Sequence, residues 1–212
     1  MSDKLTSSVK PGLMKCSFWY CSRRFFIGLV AIANLKVSMT RKDKAEADKQ
    51  LKYFRTVVKA GAINLVHKLQ LLEAEYMSAP GCWITMNSKE KDNNVIFDRY
   101  DEAIVSATRA GFLQDAALAN YLCFRFSKWK NVRVHLAEMY LKRSFELWMS
   151  WGAVAVASSL VDRHSDMFDS DSVRDSITTS RTSVGSSSSG GMRSRSRFDS
   201  SLSAQHKELN VQ

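Results

Sequence analysis

Apolar residues recur every three or four positions along most of the chain, which is the spacing of one face of an α-helix. The segment Ala47–Val58 is typical, with apolar side chains at positions 47, 51, 54 and 58. Patterns of this kind predict seven helices, over residues 16–38, 45–60, 65–77, 97–110, 113–129, 132–151 and 153–163. Proline and glycine number only 2 and 9 in 212 residues, too few to supply the turns of an all-β fold.

The ends of several predicted helices are marked by residues that cap or break helices. Gly61, Gly111 and Gly152 each follow a helical stripe, and glycine readily adopts the left-handed conformation that closes a helix. Asn64 is placed to cap the third helix, while the charged segment 40–48 is interpreted as a loop leading into the second. Most connections between predicted helices are short, so neighbouring helices should form antiparallel hairpins.

Polar segments divide the chain into three predicted regions. Residues 1–14 are polar and predict a flexible start, and residues 15–168 form a helical domain interrupted by a long loop at 78–94. Serine dominates residues 169–212, where few large apolar side chains remain. Such a segment cannot bury enough surface to offset its ordering entropy, so a disordered tail is predicted.

The segment 111–129, GFLQDAALANYLCFRFSKW, changes from small residues to large aromatic ones along its length. Alanines in its first half would let the following helix approach closely. Phe124, Phe126 and Trp129 are then expected to fill the space where successive hairpins stack.

A spacing of 34 residues relates the helix before this segment to the helix after it. Three pairs of positions match on one helix face at that spacing: Ala103 with Ala137, Ala107 with Leu141, and Ala110 with Ser144. Thirty-four residues is also the period of tetratricopeptide repeats, which are stacked helical hairpins. The sequence therefore predicts an all-α fold of antiparallel hairpins stacked as a short tetratricopeptide-like solenoid.

Four stretches carry a resemblance to a known family. They are NLVHKLQLLEAE from Asn64, YDEAI from Tyr100, GFLQDAALAN from Gly111 and WGA from Trp151. In order and approximate spacing, residues 18–168 resemble the C-terminal end of the tetratricopeptide-like helical region of very large signalling proteins. Those proteins join a serine/threonine kinase domain, an AAA-like ATPase module and often a GAF domain with a histidine kinase. Tyr121 and Val156 depart from the acidic residue and the lysine that are usual in the family.

No catalytic motif accompanies this resemblance. The sequence contains neither a Gly-x-x-x-x-Gly-Lys-Ser/Thr phosphate loop nor a kinase catalytic loop with Asp-Phe-Gly. We therefore expect a non-enzymatic interaction or scaffold module in signal transduction, without cofactor or metal, that binds a protein partner's helix or peptide in a helical-repeat groove. A kinase or ATPase component is the kind of partner that the resemblance implies. Exposed polar residues of the groove are predicted at Asn120, Arg125 and Lys128, and His67 is interpreted as a packing or surface residue.

The net charge of +10 arises in the N-terminal third of the chain. Residues 1–68 contain 14 Lys/Arg against 4 Asp/Glu, whereas residues 69–168 contain 11 against 12. The surplus is either a solvated helix face or a patch that meets an acidic partner, a lipid surface or RNA. Alternative functions are therefore a basic peripheral binder of membrane or RNA, or a separately encoded fragment of a larger kinase/ATPase signalling protein. The patch comprises Lys36, Arg41, Lys42, Lys44, Lys49 and Lys52.

Arginines in the serine-rich tail precede serines at the spacing that basic-directed kinases favour. Candidate phosphorylation sites are Ser183, Ser196 and Ser200. Phosphorylation would make the tail acidic, and an acidic tail could fold back on the basic N-terminal third. The Arg-Ser steps are too few for an RNA-binding Arg/Ser domain, so nucleic acid is not the expected partner.

Residues 25–33, FFIGLVAIA, form an apolar run near the N-terminus. Nine residues are far short of the roughly 20 that a membrane-spanning helix needs. The run follows Arg23 and Arg24 and ends like a signal-peptidase site, but the aromatic residues at 18–20 favour a buried helix over a signal peptide. The four cysteines lack Cys-x-x-Cys spacing and are interpreted as reduced thiols of a cytoplasmic protein.

Overall fold

The computed structural model describes residues 18–80 and 93–168, which fold into helices without any strand in these ranges. The helices are α1 Phe18–Ser38, α2 Arg41–Lys59, α3 Val66–Ser78, α4 Asn93–Arg109, α5 Leu113–Lys130, α6 Val134–Ser150 and α7 Val154–Arg163. The predicted all-α class is confirmed for this part of the chain. The predicted flexible start at 1–14, most of the loop at 78–94, and the tail at 169–212 with its candidate phosphorylation sites lie outside the described residues.

Helix α2 begins at Arg41, four residues before its predicted start. The Thr40 side chain caps it by accepting a hydrogen bond from the backbone N–H of Asp43, and the Thr40 hydroxyl donates to the Asp43 carboxylate. This cap satisfies an N–H group that the first helical turn leaves unpaired. The charged segment 40–48 is therefore helix from its second residue. Its later part was correctly predicted as the first turn of α2, but the interpretation of residues 41–44 as a loop was wrong.

The cap predicted at Asn64 is not formed. Asn64 lies within a 3₁₀ turn, Ile63–Leu65, that leads directly into α3. Leu65 occupies the position before the first residue of α3 and makes no side-chain capping hydrogen bond. Helix α3 thus starts as the continuation of a tight turn.

Every connection between consecutive helices in the described ranges contains a residue in the left-handed conformation. These residues are Met39, Gly61, Gly111, Asn131 and Gly152. After Gly111, the N–H of Phe112 donates to the Ala107 carbonyl at 2.9 Å, five residues earlier, and the turns after Gly61, Asn131 and Gly152 repeat this bond. This is the Schellman motif, which closes a helix and reverses the chain. The predicted helix stops at the three glycines are confirmed.

Consecutive helices run antiparallel. Contacts between α1 and α2 join Cys21 to Tyr53 near one end of the pair, and Ser38 to Asp43 at the other end. The helices α5 and α6 are antiparallel in the same way, and they form the most extensive helix–helix contact of the described chain. The predicted antiparallel hairpins are therefore present.

Helices two positions apart in the chain lie parallel to each other. Arg133, which immediately precedes α6, donates to Asn94 of α4 at 2.9 Å, and Tyr140 of α6 donates to Asp101 of α4 at 2.9 Å. Helix α3 contacts α1 on one side and α5 on the other. This order makes α3 and α5 interior helices and leaves one long side of α1 without a neighbour among the described helices.

One hydrophobic core extends from α1 to the residues that follow α7. Its fully buried aromatic side chains include Phe25, Phe54 and Tyr100. Gly28 lets α1 approach α3 closely, because a Cβ atom at this position would lie 3.0 Å from Leu72 Cδ2. The inner face of α1 is therefore held tightly against the rest of the domain.

Three expectations about burial need correction. Ala110 is exposed just beyond the end of α4, so it does not share a packing face with the buried Ser144. Trp129 is half exposed and does not fill the space between hairpins. The apolar run 25–33 lies in α1 as predicted, but three of its large side chains are exposed, so only one side of the run belongs to the core.

Candidate partner-binding groove

The outward face of α1 is apolar along much of its length. Phe26, Val30 and Val37 expose 55%, 59% and 88% of their surface, at positions four and seven residues apart. On the opposite face of the same helix, Phe25 and Ile32 are fully buried. Helix α1 is thus apolar on two sides, and only one of them is used by the core. Contiguous exposed apolar surface of this kind marks a site of interaction.

This outward face borders a groove of about 790 Å³ between α1 and α2. The α1 wall is apolar apart from its ends and includes Phe26, Ile27 and Val30. The α2 wall is charged and includes Lys42, Asp43, Glu46 and Lys49. An apolar wall beside charges of both signs is suited to an amphipathic helix, whose apolar side chains would enter the groove while its polar face remains in water.

Half of the predicted basic patch is neutralised by neighbouring carboxylates. The ion pairs are Lys36 with Glu75 at 2.5 Å, Lys44 with Asp48 at 3.1 Å, and Lys49 with Glu46 at 3.3 Å. The remaining members are Arg41, Lys42 and Lys52, which are exposed and have no ion-pair partner among residues 18–80 and 93–168. The positive charge that could meet phosphate groups is therefore smaller than the sequence indicates.

The predicted partner-binding residues of α5 do not all reach the surface. Asn120 exposes only 2% of its surface, and its side-chain amide donates to the Ala116 carbonyl at 2.9 Å. Its assignment as an exposed contact residue was wrong, because α5 packs against α3, α4 and α6 and has little free surface. Arg125 and Lys128 are exposed, and their role in binding stays a prediction.

A buried charged cluster joins α3 to α5. His67 Nε2 and Lys68 Nζ lie 2.8 and 2.5 Å from the same carboxylate oxygen of Asp115. The His67 ring stacks on Phe112 with 4.6 Å between ring centroids, and Lys68 Nζ lies 4.5 Å from the centroid of the Phe25 ring. The cluster therefore ties three helices together, and the interpretation of His67 as a packing residue agrees with its position.

The negative charge of Asp115 is stabilised by its contacts with His67 and Lys68 inside the cluster. Burial alone would raise the pKa of Asp115, but the hydrogen bond from His67 and the charge of Lys68 outweigh burial and hold this pKa below its usual 3.8. All three side chains are buried, whereas a general acid or base must reach its substrate. The arrangement supports the fold and offers no accessible catalytic group.

The Glu75 carboxylate and the two described cysteines are likewise buried and out of reach of a substrate. Glu75 accepts hydrogen bonds from Lys36 and Tyr100, and burial together with this carboxylate raises the pKa of Tyr100. Cys21 and Cys123 are free and buried, which agrees with the predicted reduced thiols, while the other two cysteines lie outside the described residues. Burial raises the pKa of Cys123 and so keeps it protonated and unreactive.

Neither a metal site nor a membrane-spanning helix is present within residues 18–80 and 93–168. No three His, Cys, Asp or Glu side chains in these ranges converge as metal ligands. Among the helices described, none combines the length and the apolar character needed to cross a membrane.

No family model matches this chain, and neither the curated proteins nor the solved structures contain a match to it. The resemblance to the helical region of large kinase/ATPase signalling proteins therefore stays a prediction.

Proposed function

We propose that this protein is a non-enzymatic protein-binding module of a signalling assembly, and that its hairpins stack as a short tetratricopeptide-like solenoid. The groove between α1 and α2 is the binding surface and accepts an amphipathic helix. The exposed apolar face of α1 carries this proposal, because Phe26, Val30 and Val37 contribute little to the core and yet remain apolar.

The repeated connections and the alternating helix directions support the solenoid. In such an array each hairpin buries its apolar stripe against the next, so interior helices are covered on both sides and terminal helices are not. Helix α1 has the exposure expected of a terminal helix, whereas α3 has neighbours on both sides.

Binding would follow the helix-in-groove mode. Apolar side chains of the partner helix would pack against Phe26, Ile27 and Val30 and gain about 25 cal/mol for each Å² of apolar surface removed from water. The mixed charges of the α2 wall would then select the partner's orientation, because opposite charges must face each other across the rim.

The rival function, a basic binder of membrane or RNA, is supported less well by the geometry. Asp43 and Glu46 line the groove and would repel lipid phosphates or an RNA backbone at the site where the apolar surface is exposed. Arg41, Lys42 and Lys52 remain the residues through which a phosphate-binding function would act.

A pair of matched variants tests the proposal. Val30→Glu places a charge in the groove, while Val156→Glu makes the same change at a valine of α7 that is 43% exposed. Tagged wild-type protein and both variants are used to capture proteins from their own cells at two salt concentrations. We expect a set of proteins that wild type and Val156→Glu retain at high salt and that Val30→Glu loses.

Equal capture by all three proteins would contradict the groove as the binding surface. Recovery of only RNA or lipid, lost at high salt and lost on changing Arg41, Lys42 and Lys52 to alanine, would support the rival function instead.

A further inference from the structure

We propose that the helix which fits the α1–α2 groove is α1 of a second copy of this chain, packed antiparallel in a homodimer. This inference rests on the proposed function, because it names the occupant of the same groove.

The exposed positions on α1 form one continuous stripe along the helix. Trp19, Arg23, Phe26, Val30, Ala33 and Val37 are all exposed. Their separations alternate between four and three residues, which is the repeat of about 3.5 residues that forms a coiled-coil seam. The seam extends about 27 Å at 1.5 Å per residue, nearly the whole of α1. A second helix can therefore pack along nearly the whole length of this face.

Side-chain sizes are complementary when α1 faces its own copy in the antiparallel direction. When the two-fold axis crosses α1 at the level of Gly28, Phe26 meets the partner's Val30 and Arg23 meets the partner's Ala33. The outermost layer sets Trp19 against the partner's Val37. Each layer thus pairs a large side chain with a smaller one, as close packing of two helices requires. A parallel pairing would instead place Arg23 against the partner's Arg23.

The antiparallel register also separates the two Arg23 charges. In the antiparallel register the two Arg23 side chains lie ten residues apart along the axis, so they do not oppose each other. Each Arg23 is level with the partner's Ala33, next to Asn34, which lines the groove together with Asp43 and Glu46. The α2 wall of one copy thereby offers the Asp43 carboxylate to the arginine of the other, whereas Glu46 on the same wall is already paired with Lys49.

The two-fold relation makes the arrangement reciprocal. When α1 of one copy enters the groove of the second, α1 of the second copy enters the groove of the first, as an isologous interface requires. The result is a four-helix bundle of two α1 and two α2 helices, which covers both seams at once.

The test is the molecular mass in solution, measured by light scattering over a range of concentrations. Wild type and Val156→Glu should have about twice the 24.0 kDa mass of one chain, and Val30→Glu should be monomeric. Ala33→Arg should raise the dissociation constant about a hundredfold, because it faces the partner's Arg23 with a like charge.

A double variant that exchanges the residues at positions 23 and 33 gives the decisive test. In the double variant Arg23→Ala, Ala33→Arg, every arginine again faces an alanine of the partner, so the dimer should return. A merely local effect of arginine at position 33 would not be rescued by this second change.

The outcomes separate this inference from the proposed function. A monomeric wild type whose captured proteins are lost in Val30→Glu would overturn the homodimer and leave the groove as a site for another protein. A dimer that Val30→Glu and Ala33→Arg do not weaken would place the interface elsewhere and overturn the inference. Circular dichroism and thermal unfolding of each variant confirm that it is folded before its mass is interpreted.

Discussion

Helices α1 and α5 are similar in sequence character but differ in how they are buried. Both are long and rich in aromatic residues, and α1 contains the longer uninterrupted apolar run. Helix α5 packs against α3, α4 and α6, and Phe124 exposes only 2% of its surface. Helix α1 packs against α2 and α3 only, and Phe26 exposes more than half of its surface. The number of neighbours that the stack provides, and not hydrophobicity, decides which apolar side chains are buried.

Phenylalanine truncation gives the sharpest test of this difference. Phe124→Ala should lower the free energy of unfolding by about 3–5 kcal/mol, because it removes a buried ring and leaves a cavity. Phe26→Ala in α1 should lower it by less than about 1 kcal/mol, because little packing is lost at the surface. Urea denaturation of the two variants measures both values.

Equal losses for the two rings would mean that the exposed face of α1 is covered within the protein under the conditions of measurement. Because the proposed dimer would cover this face, the comparison is made in the Ala33→Arg background, in which that dimer should be weakened. Similar urea dependence of the two variants would confirm that their unfolded states are comparable.

The buried charges of α5 provide the second test. Asp115→Ala should cost about 3 kcal/mol, because His67 and Lys68 would remain buried beside each other without their carboxylate. The surface pair of Glu138 with Lys142, at 2.6 Å in α6, is the control. Glu138→Ala should cost no more than about 0.5 kcal/mol, because an exposed pair at this spacing contributes little.

A small loss in Asp115→Ala would show that water or a rearranged Lys68 side chain compensates for the missing carboxylate. The double variant Lys68→Met, Asp115→Ala tests the source of a large loss. If the penalty comes from an uncompensated buried lysine, removing its charge as well should recover much of the loss.

Local features of the fold were predictable where a short stretch of sequence determines them. The stops at Gly61, Gly111 and Gly152 follow from the conformational freedom of glycine, which is independent of the rest of the chain. The start of α2 after its Thr40 cap was predictable in principle, because Thr-x-x-Asp is a capping signal, but the dense charges that follow are also typical of a loop.

Features that depend on packing were not predictable. His67 and Asp115 lie 48 residues apart in sequence, and nothing in either local pattern shows that they meet. Asn120 looked like a surface residue because it is polar, yet the helices around α5 bury it. For α1 the pattern identified the helix but not which of its two apolar faces would lack a neighbour, and the candidate groove depends on that missing neighbour.

His164 gives the smallest expected effect and tests how firmly the chain after α7 packs against α5. Its ring lies edge-on to Phe124 with 5.0 Å between centroids. Burial lowers the pKa of His164 below its usual 6.5, and Arg163 and Lys128 act in the same direction while Asp166 opposes them. The unfolded chain therefore takes up a proton at His164 more readily than the folded chain, so the free energy of unfolding should fall as the pH drops through 6.5.

The variant His164→Gln should be less stable than wild type at about pH 8, and the difference in their free energies of unfolding should narrow towards about pH 5. Because the two proteins differ only at position 164, a difference that stays constant with pH would show that the His164 ring is solvated and that the end of the domain is not fixed to α5.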